Sequence, residues 1–124
     1  MSEFSGTRVL IVEDEGFVAL LIEDMLQELG CEIVASVAGL KEACGIAATA
    51  QIDLAVLDVN LGGERSFPVA HILQERRVPF MFSTGYGASG LPVEFSECPV
   101  LGKPFSAKAL EEKLAVALGL PPRR

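Results

Sequence analysis

The central apolar run of this chain, Leu54 to Asp58, shows no alternation of apolar and polar positions. A strand of that kind is covered on both faces, as in a parallel sheet packed between helices. Four further runs accompany it: Thr7–Val12, Glu32–Val37, Val78–Ser83 and Cys98–Leu101. Between the first two, Val18, Leu21, Ile22, Met25, Leu26 and Leu29 fall at helical spacing over 16–29, and Gly30 supplies the stop. Phe17 and Leu20 lie beside that stripe and make the helix more apolar than its core face requires. They serve either as a docking surface or as cover for the N-terminal arm.

Residues 40–50 form a weaker, alanine-rich helix in which Gly45 costs about 1 kcal/mol relative to alanine. Ser66 stands at an N-cap position with Pro68 in the first turn, ahead of Val69, Ile72, Leu73 and Arg76 on one helix face. His71 falls off that face, as a solvated helix residue does. A fourth helix is due near 85–97, but Gly85, Gly87, Gly90 and Pro92 predict a short or mobile one. Ser106 caps a last helix with Leu110, Leu114, Ala117 and Leu118 inward, and Gly119 ends it. Strand and helix alternate five times, which implies a parallel sheet with helices on both faces and right-handed crossovers.

At 124 residues the chain has the size of one domain, with a core expected over about 7–118. No apolar run approaches the roughly 18 residues of a membrane span. The opening Met1–Gly6 has neither a basic nor an apolar segment of a secretory signal, so the expectation is a cytoplasmic protein that does not enter a membrane. Cys31, Cys44 and Cys98 are widely spaced and read as reduced, mostly buried thiols. With His71 the single histidine, a Cys/His zinc site is disfavoured. A net charge of -7 argues against nucleic-acid binding and permits a basic partner or a bound cation.

The chemistry lies at the strand ends. The first strand ends in Glu13-Asp14, the third in Asp58, the fourth in Thr84 and the fifth in Lys103. In an open parallel sheet these ends share one edge, where ligands bind. An aspartate at a strand exit is on its own an ordinary turn residue; four polar strand ends together are not. Three carboxylates brought close either raise a pKa or hold a cation. An oxygen-rich site of few protein ligands suits Mg²⁺. Asp58 is then placed to attack phosphorus and form an acyl phosphate, with no base needed for a nucleophile already ionised.

These residues, with Lys103-Pro104, resemble the receiver domain of two-component response regulators over about Thr7 to Leu118. The resemblance implies a CheY-like (βα)5 fold, doubly wound and flavodoxin-like, with strand order 2-1-3-4-5. It implies Asp58 as phosphoacceptor, Mg²⁺ on Asp14, Asp58 and the Asn60 backbone carbonyl with Glu13 acting through water, phosphoryl contacts from Thr84, Gly85 and Lys103, and a cis Lys103–Pro104 bond. The stretch Pro79-Phe80-Met81-Phe82-Ser83-Thr84-Gly85-Tyr86 is similar to the PFxFATGY motif of the FAT GUY receiver subgroup, with serine in place of alanine. In that subgroup too the aromatic switch residue three positions before the lysine is missing; here it is Val100. Tyr86, or ordering of 85–97, would take over the switching. The subgroup implies an HWE-type or related histidine kinase, or a histidine phosphotransfer protein, as partner. It also implies a single receiver without an output domain, stand-alone or kinase-linked, acting as a switch or a phosphate sink, and a monomer or weak dimer.

Other readings fit less well. A Mg²⁺ phosphatase of the haloacid dehalogenase type wants an acid two residues after its nucleophile, and Asn60 stands there. A flavin carrier on the same fold needs a phosphate loop after the first strand, where Glu13-Asp14-Glu15 would repel it. A degenerate receiver, serving only as a protein-binding module, sits badly with a complete set of acidic, threonine and lysine residues. The chain is therefore expected to act on itself, not as an enzyme on external substrates.

Overall fold

The computed structural model describes residues 3–85 and 90–120. Five parallel strands form the sheet: β1 (Arg8–Val12), β2 (Glu32–Val37), β3 (Leu54–Asp58), β6 (Phe80–Thr84) and β7 (Val100–Gly102). Their order is β2-β1-β3-β6-β7, the expected 2-1-3-4-5 of a flavodoxin-like, CheY-like fold. Every residue of β3 and β6 is buried, as their unbroken apolar runs require. Among the described residues four α-helices cover the two faces: α1 (Gly16–Glu28), α2 (Leu40–Thr49), α3 (Phe67–Glu75) and α4 (Ala107–Ala117). One buried cluster joins α2 and α3 to Leu10, Leu57, Phe80 and Phe82, and the other joins α1 and α4 to Ile11, Val56 and Met81. Alternate residues of each central strand thus feed opposite cores.

Several expectations change in detail. The α1 stripe is centred on Ala19, Ile22 and Leu26, which turns Leu21 to 40% exposure. Phe17 and Leu20 do not cover the N-terminal arm; they are 82% and 56% exposed. The arm is held instead by Phe4, outside the expected core yet fully buried, and by the Gly6 N–H donating to Gly30 O at 2.9 Å. Gly30 ends α1 at φ +90, where an added Cβ would meet Ser5 Oγ at 2.8 Å. On α4, Ala115 is buried with Leu110 and Leu114, while Ala117 and Leu118 are half-buried. Ser106 Oγ accepts the Ala109 N–H at 3.1 Å, as a cap should, but Ser66 makes no side-chain cap and is buried. Arg76 does not pack inward with its stripe; its guanidinium donates to Ala47 O on α2.

Between β6 and β7 the described residues hold one 3-10 turn, Val93–Phe95, where a fourth of five helices was due. That short turn inserts Phe95, fully buried, among Phe67, Phe80 and Phe82 at centroid distances of 5.5–5.9 Å. His71 is about half exposed, as expected off the stripe, yet it pairs with Glu94 at 3.2 Å and lies 5.1 Å from the Phe95 ring. Cys31 is buried, Cys44 and Cys98 are half-buried, and all three are free. No helix among the described residues is long and apolar enough to cross a membrane.

A small element was missed: an antiparallel hairpin of β4 (Asn60–Leu61) and β5 (Glu64–Arg65) just past Asp58. Gly62 and Gly63 turn it at φ +61 and +99, the double left-handed conformation of a two-residue hairpin. The glycine pair signalled a turn; strands of two residues are too short to announce themselves by pattern.

Candidate functional site

Register brings the polar strand ends together. Val12 pairs with Leu57, so Glu13 stands level with Asp58, and Asp58 pairs with Ser83, one residue before Thr84. Thr84 pairs with Gly102, and the Lys103 N–H donates to Thr84 O at 2.9 Å. Asp14, Asp58, Asn60, Thr84, Gly85 and Lys103 all line one cavity of about 370 Å³. Glu15 and Arg65 line it as well and were not anticipated. Arg65 enters through the hairpin, which pairs it with Asn60, and that pairing was invisible without the fold.

The floor is acidic. Glu13, Asp14 and Asp58 each offer a carboxylate oxygen, all within 4.8 Å of one another. Asp58 and Glu13 are buried, at 6% and 3% exposure, whereas Asp14 is exposed. Lys103 Nζ lies 2.9 Å from Glu13 Oε1 and 3.3 Å from Asp58 Oδ2. The first contact is an ion pair whose angles miss hydrogen-bond geometry; the second is a hydrogen bond. Burial pushes the Glu13 carboxyl up to about 7, against the pull of Lys103, and its contact with Asp58 adds to the rise. Burial draws the Lys103 ammonium down, but Glu13 and Asp58 more than offset it and the net shift is upward.

The donor set fits a hard divalent cation: oxygen atoms only, one carboxylate exposed and two buried, with open volume for water. The Asn60 N–H donates to Asp58 Oδ1 at 3.3 Å, and Asn60 Oδ1 accepts the Gly63 N–H at 2.9 Å, which fixes the loop beside the nucleophile candidate. The Lys103–Pro104 bond is cis. Val100 is half-buried and pairs with Phe82; it carries no ring to rotate. Tyr86 lies outside the described residues.

Residues 9–115 match the family model of the response regulator receiver domain. The chain belongs to that family. Among solved structures this receiver is similar to SdrG from Sphingomonas melonis Fr1, at TM-score 0.82 and 41% identity over 91% of this chain and 97% of that one. It is also similar to the receiver domain of sensor histidine kinase PA1611 from Pseudomonas aeruginosa PAO1, at TM-score 0.74 and 26% identity over 93% and 99% of the two chains. That domain was solved with a magnesium ion coordinated in its active site cleft. The transcriptional regulatory protein PdtaR of Mycobacterium tuberculosis (strain H37Rv) is 28% identical over 115 residues, 90% of this chain and 56% of PdtaR. The receiver thus spans about half the length of the curated relatives it matches.

Proposed function

We propose that this receiver accepts a phosphoryl group on Asp58 from a phosphohistidine of a histidine kinase, of HWE or related type, or of a phosphotransfer protein. The observation that carries the reading is the setting of Asp58. Its buried carboxylate faces the cavity with a lysine ammonium at 3.3 Å and two further carboxylates beside it. Asp14, Asp58 and the Asn60 carbonyl would hold Mg²⁺, with Glu13 acting through water. Bound there, Mg²⁺ supplies positive charge against the phosphoryl oxygens.

Asp58 attacks phosphorus with one carboxylate oxygen; the P–O bond forms as the P–N bond breaks, and the electron pair leaves with the imidazole. No base is required, because a carboxylate nucleophile has no proton to lose. Lys103, held by Glu13 and Asp58, stands ready for one phosphoryl oxygen, and Thr84 and Gly85, which line the same cavity, would contact another. The chemistry stays on the receiver's own aspartate, so it turns over no external substrate. The donor docks on α1, whose exposed Phe17, Leu20 and Leu21 lie next in the chain to Glu13-Asp14-Glu15. Such a receiver works in the cytoplasm.

The test is phosphorylation by acetyl phosphate in Mg²⁺ and in EDTA. Incorporation in Mg²⁺ alone is expected. Incorporation that ignores EDTA overturns the metal assignment, and none from either acetyl phosphate or a phosphorylated kinase overturns the phosphoacceptor role.

A further inference from the structure

We propose that Arg65 is a second cation for the phosphoryl group on Asp58, acting beside Lys103; the inference rests on the phosphoacceptor reading above. Arg65 lines the same cavity as Asp58, Thr84 and Lys103. The two cations of this cavity differ in what they already hold. Lys103 is committed to Glu13 and Asp58. Arg65, among the described residues, forms no ion pair, although Asp14 and Glu15 line the same space.

Its position is fixed by the backbone. Arg65 pairs directly with Asn60, two residues past Asp58. The turn is closed by Gly62, Gly63 and the Asn60 side chain. The Ser66 N–H donates to Val59 O at 3.0 Å, tying the chain again one residue beyond Arg65. Leu61, at 4% exposure, anchors the hairpin in the core, while Glu64 and Arg65 are exposed. Core packing therefore accounts for Leu61 and not for Arg65. The hairpin holds the root of a long cationic side chain at the lip of the acidic cavity.

Phosphorylation exchanges a carboxylate of charge about -1 for an acyl phosphate of about -2 in a pocket that already holds Glu13 and Asp14. Added negative charge there calls for a cation not already neutralised. A guanidinium is suited to it, since its planar fork matches two phosphoryl oxygens at once. Arg65 thus favours the phosphorylated state over the empty one.

The test uses beryllofluoride, a phosphoryl mimic, titrated in Mg²⁺ into the wild-type chain, Arg65→Gln and Arg65→Lys, with Mg²⁺ affinity measured separately. Arg65→Gln should weaken beryllofluoride binding about tenfold, the scale of one charge-assisted hydrogen bond. Arg65→Lys should weaken it less, and neither should lower Mg²⁺ affinity, because a cation has been removed or kept. Unchanged beryllofluoride binding in Arg65→Gln overturns the proposal. So does a parallel loss of Mg²⁺ and beryllofluoride, which marks a merely structural role. A wild-type chain that binds Mg²⁺ but not beryllofluoride overturns the phosphoacceptor reading itself, and this one with it.

Discussion

Lys103 Nζ reaches Glu13 Oε1 at 2.9 Å although β7 and β1, the strands that precede them, are separated in the sheet by β3 and β6. The ammonium crosses the mouth of two strands to close the acidic pocket. In doing so it passes Asp58, which it also bonds. One cation thus offsets the mutual repulsion of two buried carboxylates, and that makes the pocket's stability depend on what else binds there.

Lys103→Met should therefore destabilise the Mg²⁺-free chain. The loss should be about 2 kcal/mol, below the roughly 3–5 of a fully buried broken pair, since the Lys103 side chain keeps 19% exposure. Mg²⁺ should restore part of it by taking over the neutralising charge. Thermal melts with and without Mg²⁺ measure both effects; equal melts of the two chains in Mg²⁺-free buffer would contradict this electrostatic account.

Glu13 makes the pocket sensitive to pH. Its carboxyl, near 4.5 when unfolded, titrates at about 7 in the folded chain. Between these values the folded state binds more protons than the unfolded one. The stability contributed is full below the unfolded value and is lost as pH rises through the folded one. Mg²⁺ favours the ionised carboxylate, so its affinity should climb between about pH 6 and about pH 8. Calorimetric titration of Mg²⁺ across that range checks the slope, and Glu13→Gln should flatten it.

Phe95 is the anchor of the segment between β6 and β7. It is fully buried against Phe67, Phe80 and Phe82. Phe95→Ala should cost about 3–5 kcal/mol in urea unfolding. His71→Ala, which removes a half-exposed pair with Glu94 and a contact with the edge of the Phe95 cluster, should cost no more than about 1 kcal/mol. Comparable losses would mean that the ion pair, not the ring, holds the turn in place.

Phe17 is 82% exposed and makes little contribution to the core. Phe17→Asp should shift stability by no more than about 0.5 kcal/mol. It should nonetheless slow phosphotransfer from the cognate kinase about tenfold, the effect of losing ~1.4 kcal/mol of docking energy. Undiminished transfer would remove α1 from the docking surface.

The sequence pattern already carried the sheet, because β1, β3 and β6 are apolar runs that end in a polar residue or are followed at once by one, and burial on two faces leaves few other ways to place them. The convergence of Glu13, Asp14, Asp58, Thr84 and Lys103 followed from parallel strands having one carboxyl edge. What escaped were features set by tertiary geometry alone. The rotation of α1 that exposes Leu21 depends on how α1 seats against the sheet, not on its spacing. Ser66 has the right residue type for a cap, but its hydroxyl is buried and finds no hydrogen-bond partner among the described residues. Arg65 lies seven positions after Asp58, and only the turn at Gly62-Gly63 folds it back onto the cavity. Phe95 gave no helical or strand signal, and its burial became visible only with the aromatic cluster around it.

The central claim is that Asp58 carries the phosphoryl group. Its most direct test is to phosphorylate the chain with acetyl phosphate in Mg²⁺, reduce the acyl phosphate with borohydride, and map the site by peptide mass spectrometry. The account predicts conversion of Asp58 to homoserine, dependent on phosphorylation and absent from the Asp58→Asn chain. Reduction mapped to Asp14 or Glu13, or label found on His71, would contradict it.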